Sequence, residues 1–322
     1  MRFTRLYRLF LILLSPLLIL NCGQLLDIMN ELDKQEATAP NTNLGEPGKW
    51  TTLVYLDADN NLEGAGVADV QEMISRAPQY SGNKVYVLMD RIGGYSSASM
   101  PDGFGNFTGA RLFEVTSTGT LTPVSPGVFL SLGSNDGTTE INMGDKDTLE
   151  NFIKWGLAQA DADGSKYVFL DIWDHGAGWG GNAYGGNAVA WDDTNSHDAL
   201  SITEIRTAIT NAHAAGTSNG KRVTILGFDA CYMGTAENAF AFKDLVSIMV
   251  GSEETEPGNG WDYSKWLPSG DTSPADLGSQ LVTSYGSYYN GSGNNITLSA
   301  YNLSQIPALE ASINKFVDSL VG

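Results

Sequence analysis

Apolar residues are arranged along the chain in two alternating patterns. Short unbroken apolar runs predict strands covered on both faces, and longer segments with apolar positions three or four residues apart predict helices. The predicted strands cover residues 50–56, 84–89, 167–173, 223–228, 245–250 and 296–301. The predicted helices cover residues 62–74, 147–160, 203–214, 234–244, 276–289 and 307–320, and a hairpin with loops is predicted between 90 and 146. This alternation predicts an α/β fold with helices on both faces of a mostly parallel sheet.

The first 22 residues predict an export signal. Three arginines in residues 1–8 precede an apolar run, Leu9 to Leu20, that is too short to span a bilayer comfortably. The run ends in Asn21-Cys22 and resembles a bacterial lipoprotein signal, in which Cys22 would carry the lipid. Such signals usually have Gly, Ala or Ser where this chain has Asn21, so an ordinary secretory signal is the alternative. Either way we expect an exported protein, anchored by lipid or else secreted or periplasmic.

The chain accordingly divides into three segments. Residues 1–21 are predicted as a lipoprotein-type signal peptide and 22–48, rich in polar residues and without sustained periodicity, as a flexible tether. Residues 49–322 are predicted as one folded domain. The 322 residues, 42% of them hydrophobic, suffice for a substantial core.

The charge of the chain limits its partners. Thirty-seven acidic residues stand against 18 lysines and arginines, which gives a formal charge of −19 at pH 7. Such a surface repels nucleic-acid phosphates and anionic membranes. We therefore predict no nucleic-acid partner, and membrane contact through a lipid anchor only.

Two predicted strands end in residues that carry chemistry. In an open α/β sheet, ligands bind beyond the carboxyl ends of the strands. The strand at 167–173 is followed by Asp174-His175-Gly176, and the strand at 223–228 by Asp229-Ala230-Cys231. A right-handed crossover between them predicts that His175 and Cys231 lie at the same edge, as a base and a nucleophile. The backbone N–H groups of Gly176 and Cys231 are the predicted oxyanion donors.

Each of these residues has a simpler interpretation. A cysteine after a buried strand is often an inert core residue, and a histidine there is often a turn residue. If Cys22 is lipidated, Cys231 has no intrachain disulfide partner, and a free thiol in an exported protein is then either buried or kept for chemistry. The placement of both residues after neighbouring strands favours chemistry. The other two histidines, His197 and His213, do not follow a predicted core strand.

The two motifs resemble those of a known family. The segments 174–179 (DHGAGW) and 229–234 (DACYMG) look like the two catalytic motifs of the clostripain family of cysteine peptidases. Similar stretches are 53–63, 142–145 (NMGD), 252–254 (SEE) and 257–261 (PGNGW). The resemblance spans about residues 50–270.

The resemblance implies both a fold and an activity. It implies a caspase-like αβα sandwich and a secreted or surface-anchored cysteine endopeptidase with His175 and Cys231 as its dyad. The substrates would be peptides or proteins with Arg or Lys before the scissile bond. Asp229 matches the acidic residue of the primary specificity pocket, where a buried cationic side chain must be paired. Its simpler role would be to cap the following turn.

One departure from the family concerns activation. Members are often processed by self-cleavage after a basic residue in the loop between the two motif strands. Here no Lys or Arg occurs between Lys166 and Arg206. We expect either an enzyme that is active without cleavage at 180–198 or one that is cleaved elsewhere, for example near Lys221-Arg222.

Several other sites were weighed. Residues 176–181 satisfy Gly-x-Gly-x-x-Gly after a strand, but the glycine-rich segment that follows does not predict the helix that a dinucleotide site needs. No Gly-x-Ser-x-Gly elbow is present, and the scattered histidines argue against zinc. The acidic segment from Asp57 to Glu63 lacks the glycine and the final glutamate of a linear calcium loop, because Leu62 and Ala68 stand there.

We therefore predict no cofactor and name no metal ligand. The resemblance leaves calcium possible. The alternative function is a catalytically silent peptidase-fold protein that binds basic peptides at the cell surface.

Overall fold

The computed structural model of the chain describes residues 43–125, 133, 135–178 and 188–321. The predicted signal peptide, Cys22 and residues 23–42 of the predicted tether lie outside the described residues. Among the residues that are described, no helix is both long enough and apolar enough to cross a membrane.

Ten strands and seven helices are named here in chain order. The strands are β1 (Trp50–Ala58), β2 (Lys84–Arg91), β3 (Gly109–Val115), β4 (Leu121–Pro123), β5 (Tyr167–Trp173), β6 (Ala188–Asp192), β7 (Asp198–Ser201), β8 (Ile225–Asp229), β9 (Ile248–Gly251) and β10 (Ser299–Asn302). The helices are α1 (Glu63–Arg76), α2 (Lys146–Ala162), α3 (Ile202–Ala215), α4 (Ala236–Phe242), α5 (Tyr263–Trp266), α6 (Pro274–Tyr288) and α7 (Ile306–Val321).

Eight of the strands form one central sheet. Their spatial order is β10-β9-β8-β5-β1-β2-β3-β4. The five inner strands from β9 to β2 run parallel, and the antiparallel strands β10, β3 and β4 lie at the two edges. The prediction of an α/β fold with a mostly parallel sheet is confirmed.

Helices cover both faces of this sheet because the inner strands are apolar on both sides. All nine residues of β1 are buried, and successive residues contribute to different clusters. On one face, Leu53 and Tyr55 pack with α2 and α3. On the other face, Val54 and Leu56 pack with α1, α5 and α6. The edge at which the parallel strands end therefore lies between two layers of helices.

The structure adds elements that periodicity did not predict, the short helix α5 and a hairpin. Strands β6 and β7 form this antiparallel hairpin in the segment that was expected to be a loop. The apolar run Ala188 to Trp191 is only four residues long, and it follows the glycine- and asparagine-rich segment 180–187. Its isolated backbone bridge from Val189 to Gly176 brings the hairpin onto the loop after β5.

Candidate active site

The loops that carry His175 and Cys231 emerge side by side from the sheet. Strands β5 and β8 are parallel neighbours, and their register pairs Trp173 with Asp229. The two segments that follow therefore leave the same edge, as the crossover argument predicts. The amide of Asp174 donates to the Asp229 carbonyl oxygen at 3.3 Å, which ties the two strand ends together.

Gly176 packs directly on the backbone of Cys231. A Cβ atom at position 176 would lie 2.1 Å from the Cys231 carbonyl oxygen and 3.0 Å from its nitrogen. No side chain fits at those distances, so glycine is required for this approach. The residue after His175 is thereby held against the backbone of the candidate nucleophile.

His175 is half-buried and is oriented by the loop after β1. Its Nε2 lies 2.8 Å from Asn61 Oδ1. A carboxamide oxygen only accepts hydrogen bonds, so this contact assigns the proton to Nε2 and the lone pair to Nδ1. Burial lowers the pKa of the imidazole below its usual value, and the charge of Asp193 opposes that effect. The neutral ring is therefore favoured near pH 7.

The preceding residue, Asp174, anchors the His175 loop. Its two carboxylate oxygens accept hydrogen bonds from Asn60 Nδ2 at 2.7 Å and from the Trp191 amide at 2.6 Å. The side chains of Asn60 and Asn61 thus contact Asp174 and His175, which are consecutive residues of the loop after β5.

The thiol of Cys231 is surrounded by backbone amides. Sγ accepts a hydrogen bond from the Glu256 amide at 3.2 Å. Burial raises the pKa of the Cys231 thiol, and the nearby charge of Asp229 adds to this, whereas the N–H groups of Glu256, Cys231 and Gly176 lower it. The net direction is upward, so the thiol is protonated at neutral pH. The two predicted oxyanion donors, the amides of Gly176 and Cys231, both lie close enough to the sulfur to affect its ionisation.

Asp229 presents a buried carboxylate two residues before Cys231. Its Oδ2 accepts hydrogen bonds from the Trp261 amide and the Tyr263 hydroxyl, each at 3.0 Å. Gly260, with φ of +55°, lies so close that a Cβ there would be 2.8 Å from both carboxylate oxygens. Burial raises the pKa of Asp229 to about 6, although these hydrogen bonds oppose the shift.

Further acids surround Asp229. Glu256 is half-buried as a residue, but its carboxyl group is enclosed and lies in hydrogen-bond contact with that of Asp229. Burial, with the charge of Asp229, raises the pKa of Glu256 well above its usual value. Asp171, on β5, lies near Asp229. The Tyr263 hydroxyl, which contacts Asp229, also lies 2.7 Å from Oδ2 of Asp171. Buried like charges of this kind favour a protonated carboxyl until a cation is supplied.

The two histidines set aside in the sequence analysis do not join this site. His197 is exposed and contacts Asp193 at 2.7 Å, and the half-buried His213 accepts a hydrogen bond from the Val223 amide at 3.0 Å. Cys22 and the last residues of the Gly-x-Gly-x-x-Gly segment, 179–181, lie outside the described residues.

Sequence reasoning missed Asn61 and Glu256. Asn61 was considered within the rejected calcium loop from Asp57 to Glu63 but not as a partner of His175, and Glu256 was not singled out at all. The sheet-edge argument was applied to β5 and β8 but not to β1, which neighbours β5 and ends just before Asn60-Asn61. Glu256 belongs to a loop after β9, and nothing in its local sequence indicates that its side chain turns back towards Asp229.

Comparison with known proteins is consistent with this geometry. The chain is 30% identical over 248 residues to clostripain from Hathewaya histolytica, covering 73% of this chain and 45% of the length of clostripain. Its fold is similar to that of a secreted C11 cysteine protease from Bacteroides thetaiotaomicron, solved with an irreversible peptide inhibitor, with a TM-score of 0.60, 22% identity and coverage of 82% of this chain and 69% of that protein.

A second solved structure is similar as well. It is an inactive zymogen C11 protease from Parabacteroides distasonis, with a TM-score of 0.55, 21% identity and coverage of 85% of this chain and 66% of that protein. These similarities confirm the caspase-like fold. The model of the clostripain family, Peptidase C11, matches residues 54–322 of this chain. The chain therefore belongs to the clostripain family of cysteine peptidases.

Proposed function

We propose that this chain is an exported cysteine endopeptidase that uses His175 and Cys231 as a dyad and cleaves after Arg or Lys. The observation that carries the proposal is the packing of Gly176 on the Cys231 backbone at the shared edge of β5 and β8. This packing supports the proposal because it holds the segment of the candidate base, His175, against that of the candidate nucleophile, Cys231. The two candidate amide donors belong to the same segments. Family membership supports the same chemistry.

The pKa directions support a general-base mechanism. With the pKa of the thiol raised and that of the imidazole lowered, the resting dyad is a neutral pair. The thiol proton passes to Nδ1 of His175 as sulfur attacks the scissile carbonyl carbon. The resulting oxyanion accepts hydrogen bonds from the amides of Gly176 and Cys231. The imidazolium then protonates the leaving amine, and water hydrolyses the thioester with His175 again as the base.

The buried carboxylate of Asp229 supports a preference for basic residues. An unpaired buried charge is costly, and a guanidinium or ammonium entering beside Asp229 would be paired with it. The carboxyl group of Glu256 lies in the same space and would be favoured to lose its proton once a cation is bound there. A cationic side chain is therefore a better ligand there than an apolar or acidic one.

The test is hydrolysis of fluorogenic peptides that end in Arg, Lys, Asp or Leu before the reporter. We expect the full chain to cleave the Arg and Lys peptides and the Cys231→Ala variant to lose at least about 10⁴-fold in kcat. Cleavage of the Asp or Leu peptide instead would contradict the role of Asp229. Binding of basic peptides without turnover by the wild-type chain would favour the catalytically silent alternative.

We also propose that the chain reaches the cell surface as a lipoprotein through Cys22. Mass spectrometry of the chain isolated from membranes would detect the lipid on an N-terminal Cys22. A Cys22→Ser variant should be released or left uncleaved, whereas an unlipidated wild-type chain would indicate an ordinary secretory signal.

Activation is proposed to need no cut between residues 180 and 198. That segment has no Lys or Arg, and the alternative site, Lys221-Arg222, lies before β8 begins, at the opposite edge of the sheet from Cys231. Cleavage at Lys221-Arg222 would therefore need a second copy of the enzyme. An active chain that runs as one species on a denaturing gel is expected, and a self-made cut within 180–198 would refute this.

A further inference from the structure

Two buried acids share one tyrosine hydroxyl beside the candidate specificity pocket. The hydroxyl oxygen of Tyr263 lies 2.7 Å from Oδ2 of Asp171 and 3.0 Å from Oδ2 of Asp229. A hydroxyl group carries a single hydrogen, and an ionised carboxylate only accepts hydrogen bonds. Both contacts are therefore hydrogen bonds only if one of the two carboxyl groups carries a proton. We call these three residues the Tyr263 bridge.

The Tyr263 bridge is enclosed by the sheet and by the helices on one of its faces. Asp171 and Asp229 belong to the neighbouring strands β5 and β8, and Tyr263 is the first residue of α5. Asp171 and Tyr263 are 0% exposed, and Asp229 is 4% exposed. Because bulk water is excluded, the donors within the protein decide which of the two acids holds the proton.

These donors favour the proton on Asp171. Asp229 accepts from the Trp261 amide as well as from Tyr263, and the carboxyl group of Glu256 is in hydrogen-bond contact with it too. The Asp229 amide also acts on Asp171, but Oδ1 of Asp171 forms no hydrogen bond within the part of the chain that the structure describes. A buried charged oxygen without a donor is costly, whereas the carbonyl oxygen of a neutral carboxyl group is less so.

Burial and nearby charge act in the same direction. Burial raises the pKa of Asp171 well above its usual value, and the charge of Asp229 adds to this, whereas the Tyr263 hydroxyl opposes it. Burial raises the pKa of Asp229 only to about 6, because its hydrogen bonds oppose the shift. Burial and the charge of Asp171 raise the pKa of Tyr263, so its hydroxyl keeps its hydrogen. Near pH 7 these directions favour a neutral Asp171 and an ionised Asp229.

The other titratable groups around Asp229 supply no positive charge. Within the described ranges, no Lys or Arg forms an ion pair with Asp171, Asp229 or Glu256. The remaining groups on which the charge of Asp229 acts come from α1, from the end of α6 and from the loop after β8, and they are Asp69, Glu72, Tyr285, Tyr289 and Cys231. A second ionised acid in the Tyr263 bridge would therefore meet only like charges.

We propose that Asp171 keeps its proton and donates it to the Tyr263 oxygen, so that the Tyr263 hydrogen is directed to Asp229. Asp229 is then the ionised acid that pairs with the basic side chain of the substrate. Asp171 and Tyr263 are positioning residues, because they act through Asp229. The part played in substrate pairing rests on the proposed function, whereas the place of the proton does not.

The pH profile of kcat/KM for the Arg peptide tests the role of Tyr263. Tyr263→Phe removes a donor to the ionised form of Asp229, so the pKa of Asp229 rises and activity is lost at a higher pH. We expect the acidic limb of the profile to move up by about one pH unit, with most of the change in KM rather than in kcat.

Tyr80→Phe is the matched control for that variant. Tyr80 is also fully buried, but its hydroxyl donates to the Met73 carbonyl oxygen at 2.6 Å and not to an acid. Its profile should keep the position of the wild type. An acidic limb that does not move in Tyr263→Phe, or that moves equally in Tyr80→Phe, would overturn the role of Tyr263.

Infrared spectroscopy tests the proton on Asp171 without any peptide. The full chain carrying Cys231→Ala is used at pH 8, and the signal is the carbonyl stretch of protonated carboxyl groups, which ionised groups lack. We expect Asp171→Asn to remove one such band and Asp318→Asn, which changes an exposed acid of α7, to remove none. A spectrum that Asp171→Asn leaves unchanged would overturn the proposal, because Asp171 would then be ionised.

Tyr263→Phe gives a second infrared measurement that does not depend on the folding of Asp171→Asn. It removes the acceptor of the Asp171 proton, so the Asp171 band should move to higher frequency. A band that stays in place would show that Asp171 does not donate to Tyr263, and would overturn the proposal.

The infrared and kinetic measurements separate this proposal from the peptidase proposal. If Asp171→Asn removes a band and the wild-type chain cleaves no peptide at any pH, the proton is confirmed and the peptidase proposal fails. If the Arg peptide is cleaved and Asp171→Asn removes no band, only the proposal for the Tyr263 bridge fails.

Discussion

Two groups of buried carboxylates lie at the carboxyl edge of the same sheet, on opposite faces. Around Asp229 the donors are side chains and a loop amide, and Tyr263 is shared between two acids. On the other face, at the carboxyl ends of β1 and β2, Asp59 and Asp90 accept from amides that are part of the sheet edge and its hairpin. The first group lies beside Cys231, and the second lies two strands away in the sheet.

The difference teaches that buried negative charge does not by itself identify a ligand. Asp229 can share a proton with Glu256 when no cation is present, because the two carboxyl groups face each other. Asp90 and Glu140 are likewise in hydrogen-bond contact, so they can share a proton as well. What distinguishes the two groups is their position, because only Asp229 lies two residues before Cys231, at the edge shared by β5 and β8.

The largest separation of the two groups is expected from Asp229→Asn. Removing one partner of a buried charge pair costs about 4 kcal/mol, so kcat/KM for the Arg peptide should fall about 10³-fold. Asp90→Asn should lower kcat/KM for this peptide far less, because Asp90 lies on the other face of the sheet. Peptide kinetics of the two variants measure the difference.

A matched control for these variants is Asp318→Asn on the exposed side of α7. It removes the same charge from the chain and should leave the kinetics unchanged. Equal losses in Asp229→Asn and Asp90→Asn would contradict the separation of the two groups.

A loss of about 10²-fold in kcat/KM is expected from Gly176→Ala. The added Cβ would have to lie 2.1 Å from the Cys231 carbonyl oxygen, so the two loops must separate and the predicted oxyanion donors move apart. Peptide hydrolysis and the rate of Cys231 alkylation would follow the change.

Gly258→Ala provides the comparison for that substitution. Gly258 also belongs to a loop near Asp229, but a Cβ there meets nothing within 4 Å. Its activity should stay within about two-fold of the wild type. Equal losses in both variants would show that any added methyl group near the site is harmful, and that the contact with Cys231 is not the cause.

A smaller effect, about 30-fold in kcat with little change in KM, is expected from Asn61→Ala. Asn61 belongs to neither group of acids, but its side-chain oxygen contacts His175. Loss of its oxygen frees the imidazole to rotate, which affects proton transfer more than peptide binding. Asn61→Asp, which keeps an acceptor at the same place, should recover part of kcat, whereas a purely structural role would leave both variants equally impaired.

Much of the fold could be predicted from the sequence because burial was complete in its central strands. The run Tyr167–Trp173 is apolar on both faces apart from Asp171, and its predicted bounds agree with β5. The β6–β7 hairpin was missed, because four apolar residues after a glycine-rich segment carry too little periodicity to predict a strand.

The site was predictable only where residues lie next to a strand end in sequence. His175 and Cys231 satisfy that condition, and β5 and β8 bring them together. Glu140 and Glu256 do not, since each reaches its partners through a loop whose path depends on the folded core. The same reason hid the contact of Glu140 with Asp90, because the two residues meet only after β2 and the loop after β4 have assembled.

The smallest expected effect is a pH dependence that would tell the two groups apart without a change in fold. Burial raises the pKa of Asp229 to about 6, and only its ionised form can pair with an Arg or Lys side chain. As the pH falls from 7 to 5, kcat/KM for the Arg peptide should therefore fall about ten-fold, because one unit below its pKa only about a tenth of the carboxyl is ionised. Glu256→Leu removes the hydrogen bond by which Glu256 lowers the pKa of Asp229, so it should raise that pKa and move this loss to less acidic pH. Glu310→Gln, which removes a charge on α7, should leave the profile where it is. A profile that does not move in Glu256→Leu would assign the loss to protonation of His175 instead, and the proton shared between Asp229 and Glu256 would have to be abandoned.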